Sequence, residues 1–135
     1  MKKLIIIIIL FPIILFSQDK KSEKKAIQNS INWLTKLDNS QYFESWESGS
    51  IHLQEGIEQY RWASAMKISR EPFGNIISRE LNSINHTTKV SGLPDGEYLI
   101  IEFNVSYEHK GQAIEKTISV KEKDKTWKVA RYMVK

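Results

Sequence analysis

Apolar and polar side chains alternate most regularly over residues 97–108. The odd-numbered positions of this stretch are apolar or aromatic, namely Leu99, Ile101, Phe103, Val105 and Tyr107. Successive side chains of a β-strand point to opposite faces, so the pattern predicts a strand with one apolar face and one wet face. We expect a layer of helices to cover the apolar face.

The first half of the chain has apolar residues at helical spacing instead. The pattern predicts three helices, over residues 22–37, 41–48 and 54–69. In the first of them, Ile27, Ile31 and Leu34 recur at the period of one helix face. Pro72 forces the residue before it out of the helical region, so the third helix has to end by residue 71.

After residue 74 the period becomes that of strands. Four strands are predicted, over residues 76–90, 97–108, 113–121 and 126–135. The apolar set of the first strand changes face between Leu81 and Ile84, which predicts a β-bulge, because one extra residue shifts the parity of the side chains. The fourth strand changes parity too. In the third strand the apolar side is Ile114, Ile118 and Val120, interrupted by Lys116.

Together these elements predict an α+β fold, with three N-terminal helices packed on a curved four-stranded antiparallel meander sheet. The chain has 135 residues, of which 41% are hydrophobic. That length suits one domain of ordinary size together with a short extra segment. We place the single α+β domain at residues 19–135.

The extra segment, residues 1–18, predicts a secretory signal peptide. Two lysines precede an apolar run from Leu4 to Phe16, and the composition becomes charged at Asp19. The run is shorter than the roughly 20 residues that a membrane span needs. We therefore expect cleavage near residues 17–19, export to the periplasm or the medium, and no stable membrane insertion afterwards. Retention of the segment as an N-terminal anchor is the alternative.

Composition limits the chemistry that is available to the chain. There is no cysteine, and hence no disulfide and no thiol nucleophile. His52, His86 and His109 lack the spacing of zinc ligands, and the chain has neither a phosphate-binding loop nor a nucleophile elbow. We expect no metal and no cofactor. The net charge of +4 is concentrated near residues 20–25, which argues against a nucleic-acid surface.

Two arginines, Arg70 and Arg79, flank the predicted turn Pro72-Phe73-Gly74. Two guanidiniums beside one turn could clamp a carboxylate or a phosphate. The alternative is structural pairing with Glu71, with Glu80 or with a helix C-terminus.

Aromatic residues are dense in the predicted helices. Large aromatic side chains usually fill small cores, but a cavity lined by Trp46 and Trp62 would suit a flat apolar ligand. Tyr107 is the polar tip on the apolar face of the central strand. The candidate ligand-binding residues are Arg70, Arg79, Trp46, Trp62 and Tyr107. No catalytic residue is assigned, and the best acid–base pair that the sequence offers is His86 with Glu102.

Tryptophan, arginine and glycine positions spread over the chain make it similar to a known family. They are Trp33-Leu34, Asp38, Tyr42, Trp46, Trp62, Arg70, Pro72-Phe73-Gly74, Arg79-Glu80-Leu81, the run 93–98, Glu115-Lys116-Thr117, the run 124–129 and Tyr132. From Ala26 to the C-terminus the chain resembles domain of unknown function 4019, a family of small exported bacterial proteins. The resemblance implies an export signal and an α+β fold similar to the nuclear transport factor 2-like or cystatin-like group. It implies no activity.

We predict that the protein is a non-catalytic binding or interaction module for an unidentified small molecule or protein. The alternative is a small lyase or isomerase that uses a buried acid–base residue. An enzyme predicts a buried carboxylate or histidine lining a cavity of roughly a few hundred Å³, whereas a module predicts a filled interior. A homodimer formed through the outer sheet face, at Tyr98 and Ile100, is a third prediction.

Overall fold

A computed structural model describes residues 12–135, with side chains described from residue 19 onward. Its elements are α1 (Pro12–Asp38), α2 (Tyr42–Glu47), α3 (Ile51–Gly56), α4 (Gln59–Arg70), a 3-10 turn (Glu71–Phe73), β1 (Ile76–Thr87), β2 (Tyr98–Tyr107), β3 (Lys110–Lys121) and β4 (Trp127–Val134). The strands form one sheet in the order β1-β2-β3-β4, and each neighbouring pair is antiparallel. The predicted α+β class is confirmed, with N-terminal helices packed against a four-stranded antiparallel meander.

The predicted signal peptide falls partly on residues 1–11, which lie outside the described part of the chain. Residues 12–18 belong to the helical backbone of α1. No helix among the described residues is long and apolar enough to cross a membrane. Export and cleavage stay predictions.

The apolar face of β2 lies where its alternation predicts. Leu99, Ile101 and Phe103 are fully buried in the main core, and Val105 and Tyr107 continue the same face. Helix α1 contacts β2, β3 and β4, and α3 contacts β4. The helices therefore cover the face of the sheet that the alternation of β2 marks as apolar.

Changes of parity in the strands correspond to irregularities of register. The pairing of β1 with β2 shifts between Leu81 and Ser83, as the sequence predicts, and shifts again between Ile76 and Ser78. The pairing of β3 with β4 shifts between Ile118 and Ser119, whose partners in β4 are Arg131 and Val129. These shifts let one strand present apolar residues of both parities to the core.

The prediction of a single third helix over residues 54–69 was wrong, because two helices, α3 and α4, occupy this region. Ile57 has extended backbone angles, φ −156° and ψ 140°, and separates them. Its carbonyl oxygen accepts a hydrogen bond from Trp46 Nε1 at 2.8 Å. The chain therefore has four helices among the described residues, where the pattern predicts three.

The apolar side of β3 turns out to face away from the helices. Ile118 and Val120 share a face, as predicted, but it is the outer face, where they pack with Tyr98 and Ala130. The residues that face the helices are Ala113, Glu115, Thr117 and Ser119, and all four are buried. Because polar side chains at alternate positions look like a wet face in the sequence, the pattern reverses the two sides of this strand.

Candidate functional site: a buried charged cluster and an open cleft

Four charged side chains and one phenol meet between the helices and the sheet. They are Asp38 at the end of α1, Arg70 at the end of α4, Arg79 on β1, Glu115 on β3 and Tyr132 on β4, and we call them the charged cluster. Two carboxylates face two guanidiniums, so the formal charges cancel. Glu115 is 0% exposed. An ion buried this deeply needs close partners, because removing a charged group from water costs on the order of several kcal/mol.

Each guanidinium of the cluster bridges both carboxylates. Arg79 donates to both oxygens of Asp38, at 2.8 and 2.9 Å, and its Nε donates to Glu115 Oε1 at 2.8 Å. Arg70 Nη2 donates to Asp38 Oδ1 at 2.6 Å, and its Nη1 lies 3.4 Å from Glu115 Oε2. Both carboxylates are therefore held by charge-assisted contacts from two directions.

Tyr132 completes the bonding of Glu115. Its hydroxyl donates to Glu115 Oε2 at 2.5 Å and accepts from Arg70 Nη1 at 3.2 Å. Burial raises the pKa of the Tyr132 phenol, and the negative charge of Glu115 raises it further. Tyr132 is therefore held in its protonated, donating form.

Tyr107 lies beside the cluster but is bonded differently. The guanidinium carbon of Arg70 lies 5.0 Å from the centre of its ring, which is a cation–π distance. Its hydroxyl is buried and has no hydrogen-bond partner among the described residues. Burial, followed by the charge of Glu115, raises the pKa of Tyr107.

The pairing also explains the charge state of the arginines. Burial by itself would lower the pKa of Arg79, but the hydrogen bond to Asp38 and the charge of Glu115 outweigh it, and the pKa is raised. The pKa of Arg70 is raised as well, against its own burial, by neighbouring Tyr132 and Glu115. Both arginines are thus permanent cations whose donors are directed at carboxylates of the same chain.

The structure brings together three of the five candidate ligand-binding residues, Arg70, Arg79 and Tyr107. The partners of the arginines are Asp38 and Glu115, whereas the sequence suggests Glu71 or Glu80. The sequence gives no signal for this pairing, since the four residues come from distant segments. Ligand binding by the arginines stays a prediction.

The other two candidates, Trp46 and Trp62, belong to the helical layer. Trp62 packs against Trp33 with ring centres 5.9 Å apart, and its Nε1 donates to Ser45 Oγ at 2.9 Å. Trp46 is partly buried and bonds to the carbonyl of Ile57. Both indoles therefore tie the short helices to one another.

The suggested acid–base pair is not assembled. His86 Nε2 lies 2.8 Å from Glu23 Oε2 of α1, whereas Glu102 accepts hydrogen bonds from Asn82 and Ser83. Among the described residues, no group of three or more histidines and carboxylates could hold a metal ion.

An open cleft of about 800 Å³ lies between residues 19–23 of α1 and one end of the sheet. We call it the Trp127 cleft; its lining includes Glu23, His86, Glu97, Tyr98, Lys121 and Trp127. Trp127 and Tyr98 are buried side chains, Glu97 and Lys121 form an ion pair at 3.7 Å, and His86 Nε2 lies 2.8 Å from Glu23 Oε2. The cleft thus combines aromatic groups with charges of both signs.

Most of the chain matches one known protein family. Residues 29–132 match the family DUF4019, described as proteins of unknown function. No curated protein and no solved structure matches the chain. The matched region spans most of the chain and includes all five members of the charged cluster. The chain therefore belongs to the DUF4019 family.

Proposed function

We propose that the protein is a non-catalytic binding or interaction module, and that its ligand occupies the Trp127 cleft. The observation that carries the proposal is the pairing of Glu115, the fully buried carboxylate, with Arg70, Arg79 and Tyr132. A general base has to reach the proton that it abstracts, directly or through one water. Glu115 does not line the cleft, and its oxygens are engaged within the chain.

The chemistry of the cleft suits a ligand with both an apolar and a charged part. Small-molecule sites usually combine apolar or aromatic walls with a few placed polar groups. Lys121 Nζ lies 5.9 Å from the ring centre of Trp127, so a cation already stacks over this indole. Because Lys121 and Glu97 place charges of both signs on the rim, we expect a zwitterionic small molecule or a charged peptide segment of a partner.

A thermal-shift screen with a matched pair of variants tests the proposal. The protein, expressed from the full-length sequence, is screened against zwitterionic metabolites and cell-envelope fragments, and each hit is repeated with Lys121→Ala and Lys116→Ala. Both lysines lie on β3 beside a glutamate, at 3.7 and 4.0 Å, but only Lys121 lines the cleft.

We expect a ligand to raise the Tm of the wild type and of Lys116→Ala equally, and to raise that of Lys121→Ala less. A complete absence of hits, or an equal response of both variants to every hit, would contradict a ligand in this cleft.

A second candidate function is a small lyase or isomerase. It is favoured by a smaller cleft of about 210 Å³, whose lining includes Asp38 and Arg70 of the charged cluster and the nearby Tyr42. The bidentate contact from Arg79 counts against Asp38 as a base, because both of its oxygens are engaged. Liquid chromatography with mass spectrometry of each hit after incubation with the protein separates the two functions: a product of changed mass or changed retention time that a folded Asp38→Asn variant fails to form would favour the enzyme.

A further inference from the structure

We propose that one end of the molecule docks on a lipid bilayer that carries anionic headgroups. The surface is formed by residues 19–25 of α1 and by residues 121–128 around the β3–β4 turn, and we call it the basic end. It lies beside the Trp127 cleft, but most of its lysines are outside that cleft. The proposal goes beyond the proposed function and does not depend on a ligand in the cleft.

The fold brings the two segments of the basic end together from distant parts of the chain. Trp127 Nε1 donates a hydrogen bond to Ser22 Oγ at 3.0 Å, across 105 positions of the sequence. Lys20 of α1 and Lys121 of β3 line the same cleft. The cluster of lysines that the sequence shows near residues 20–25 is thus one half of a larger surface.

This end of the molecule carries the positive charge of the described side chains. Its two segments contain eight lysines and four carboxylates. With Lys89, Asp95 and Glu97 of the neighbouring β1–β2 connection the balance becomes nine lysines and six carboxylates, whereas the rest of residues 19–135 has nine basic side chains and ten carboxylates. The lysines of the two segments are Lys20, Lys21, Lys24, Lys25, Lys121, Lys123, Lys125 and Lys128.

Most of these lysines are accessible to a partner. Only Lys121 among the eight lies within 4.0 Å of a carboxylate oxygen in the described part of the chain, where it pairs with Glu97. The four lysines of α1 are exposed, and so are Lys123 and Lys125 of the turn. An exposed ammonium group can approach a phosphate without giving up a bond within its own chain. Near an anionic bilayer each such lysine strengthens binding about fivefold.

The sequence beside the basic end favours a bilayer over another polyanion. An apolar run from Leu4 to Phe16 precedes residue 19, and the backbone of α1 continues from Pro12 into residues 19–25. Lysines that adjoin an apolar segment in this way are typical of proteins that bind acidic lipid headgroups. Because the lysines belong to residues 19–135, the surface persists if residues 1–18 are cleaved.

Cosedimentation with vesicles tests the proposal. The full-length sequence is titrated with vesicles of phosphatidylcholine alone and with vesicles that also contain phosphatidylglycerol. The apolar run can bind both kinds, so the ratio of the two partition coefficients measures the electrostatic part. We expect the anionic vesicles to be favoured at least about tenfold at about 0.15 M salt and hardly at all at about 1 M, where the Debye length is only about 3 Å. Equal partitioning at the lower salt concentration would overturn the proposal.

Two paired substitutions test whether both segments form the surface. One variant combines Lys21→Gln with Lys24→Gln, and the other combines Lys123→Gln with Lys125→Gln. All four side chains are exposed and lie outside the Trp127 cleft. We expect each pair to lower the preference for anionic vesicles at least about fivefold. An effect of the first pair alone would overturn a surface built from two segments.

The matched control removes the same charge at the opposite end of the sheet, as Lys67→Gln with Lys110→Gln. Lys67 lies 4.0 Å from Glu71, and Lys110 lies over the ring of Phe73, so both adjoin the 3-10 turn. We expect this variant to keep the preference of the wild type within about twofold, because its lysines lie more than a Debye length from the bound bilayer. Equal losses in all three variants would overturn the basic end as the docking surface.

A fluorescent label identifies the end that meets the bilayer. Since the chain has no cysteine, Lys123→Cys and Lys67→Cys each accept one thiol-reactive dye whose emission shifts to the blue in an apolar environment. We expect a shift on anionic vesicles at position 123 and none at position 67, and equal shifts would overturn the orientation. Binding to duplex DNA that depends on both lysine pairs, together with equal partitioning between the vesicles, would assign the surface to a nucleic acid instead.

Discussion

Glu115 illustrates how a buried charge depends on its neighbours. Its two oxygens face Arg79, Arg70 and Tyr132, and water does not reach it. A buried ion pair contributes little net stability compared with apolar residues of the same shape, but removing one partner leaves the others buried and unpaired. The stability of the fold is therefore sensitive to the loss of any single member of the charged cluster.

We expect Glu115→Gln to lower the free energy of unfolding by about 3–5 kcal/mol, because it leaves two guanidiniums with one carboxylate. The matched control is Glu102→Gln, which removes a carboxylate on the outer face, 4.0 Å from Lys116. That change should cost only about 0–1 kcal/mol, since both side chains of this pair are partly exposed to water. Urea unfolding of the three proteins gives the comparison, and equal losses would contradict a special role for the cluster.

Two tyrosines of the same region make a second comparison at the level of single atoms. The hydroxyl of Tyr132 bonds to Glu115 and Arg70, whereas that of Tyr107 is buried without a partner in the described part of the chain. We expect Tyr132→Phe to destabilise the fold by about 1.5–3 kcal/mol, the range for hydrogen bonds to charged groups. Tyr107→Phe should be neutral or stabilising, because it removes an unsatisfied group. Urea unfolding measures both, and a larger loss for Tyr107→Phe would contradict the bonding pattern.

At the scale of elements, the predictable strands are those whose buried face is apolar. The alternation of β2 and the parity change between Leu81 and Ile84 both predict what the structure contains, because a strand has a strict period of two. The inner face of β3 defeats this rule. Glu115 joins the charged cluster, while Thr117 and Ser119 bond to Ser30 of α1 at 3.1 and 3.0 Å. Such partners are far apart in the sequence, so no local pattern predicts these contacts.

The break between α3 and α4 has a similar cause. Apolar spacing runs through it, but the carbonyl of Ile57 is captured by Trp46 from α2. Ser50 caps α3 by accepting a hydrogen bond from the backbone N–H of Leu53. A contact made by the folded chain thus overrides the local period. The arginines of the candidate site could be named from the sequence, but the carboxylates that bind them could not.

Gly56, the last residue of α3, provides a prediction for this break. A Cβ built at this position meets no atom within 4 Å. We expect Gly56→Ala to stabilise the fold by about 0.4–1 kcal/mol, because alanine restricts the unfolded chain more than glycine does.

Gly74→Ala is the contrasting variant. Gly74 has φ +74°, and an added Cβ would lie 2.7 Å from Glu108 Oε2. Alanine should cost roughly 1–3 kcal/mol there, since a positive φ combined with a ψ of −161° is essentially restricted to glycine. Thermal or urea unfolding distinguishes the variants. Stabilisation by both substitutions would show that the backbone at position 74 does not need a glycine.

At the scale of the whole molecule, the two edge strands of the sheet are unequally covered. Helices α1 and α3 contact β4, whereas β1 carries the exposed Ile77 and Leu81. The charged cluster connects the two edge strands, because it joins β1, β3 and β4 to the ends of α1 and α4. The helical layer is thus held to the sheet by polar contacts as well as by the apolar core, and its stability should depend on pH.

Alkaline pH tests this dependence. Burial raises the pKa of Tyr107 and Tyr132 above the ordinary phenol value of about 10. The unfolded chain therefore loses these protons first as the pH rises, so the contribution of the two phenols is complete below pH about 10 and is lost progressively above it. We expect the free energy of unfolding to fall above pH about 10, by up to about 1.4 kcal/mol per pH unit for each tyrosine.

Tyr132→Phe should make the fall less steep, whereas Tyr60→Phe, at a side chain that is 59% exposed, should leave the slope as it is. Urea unfolding at intervals from pH 8 upward measures the slopes, and identical slopes for the wild type and Tyr132→Phe would mean that the Tyr132 phenol does not stay protonated in the fold.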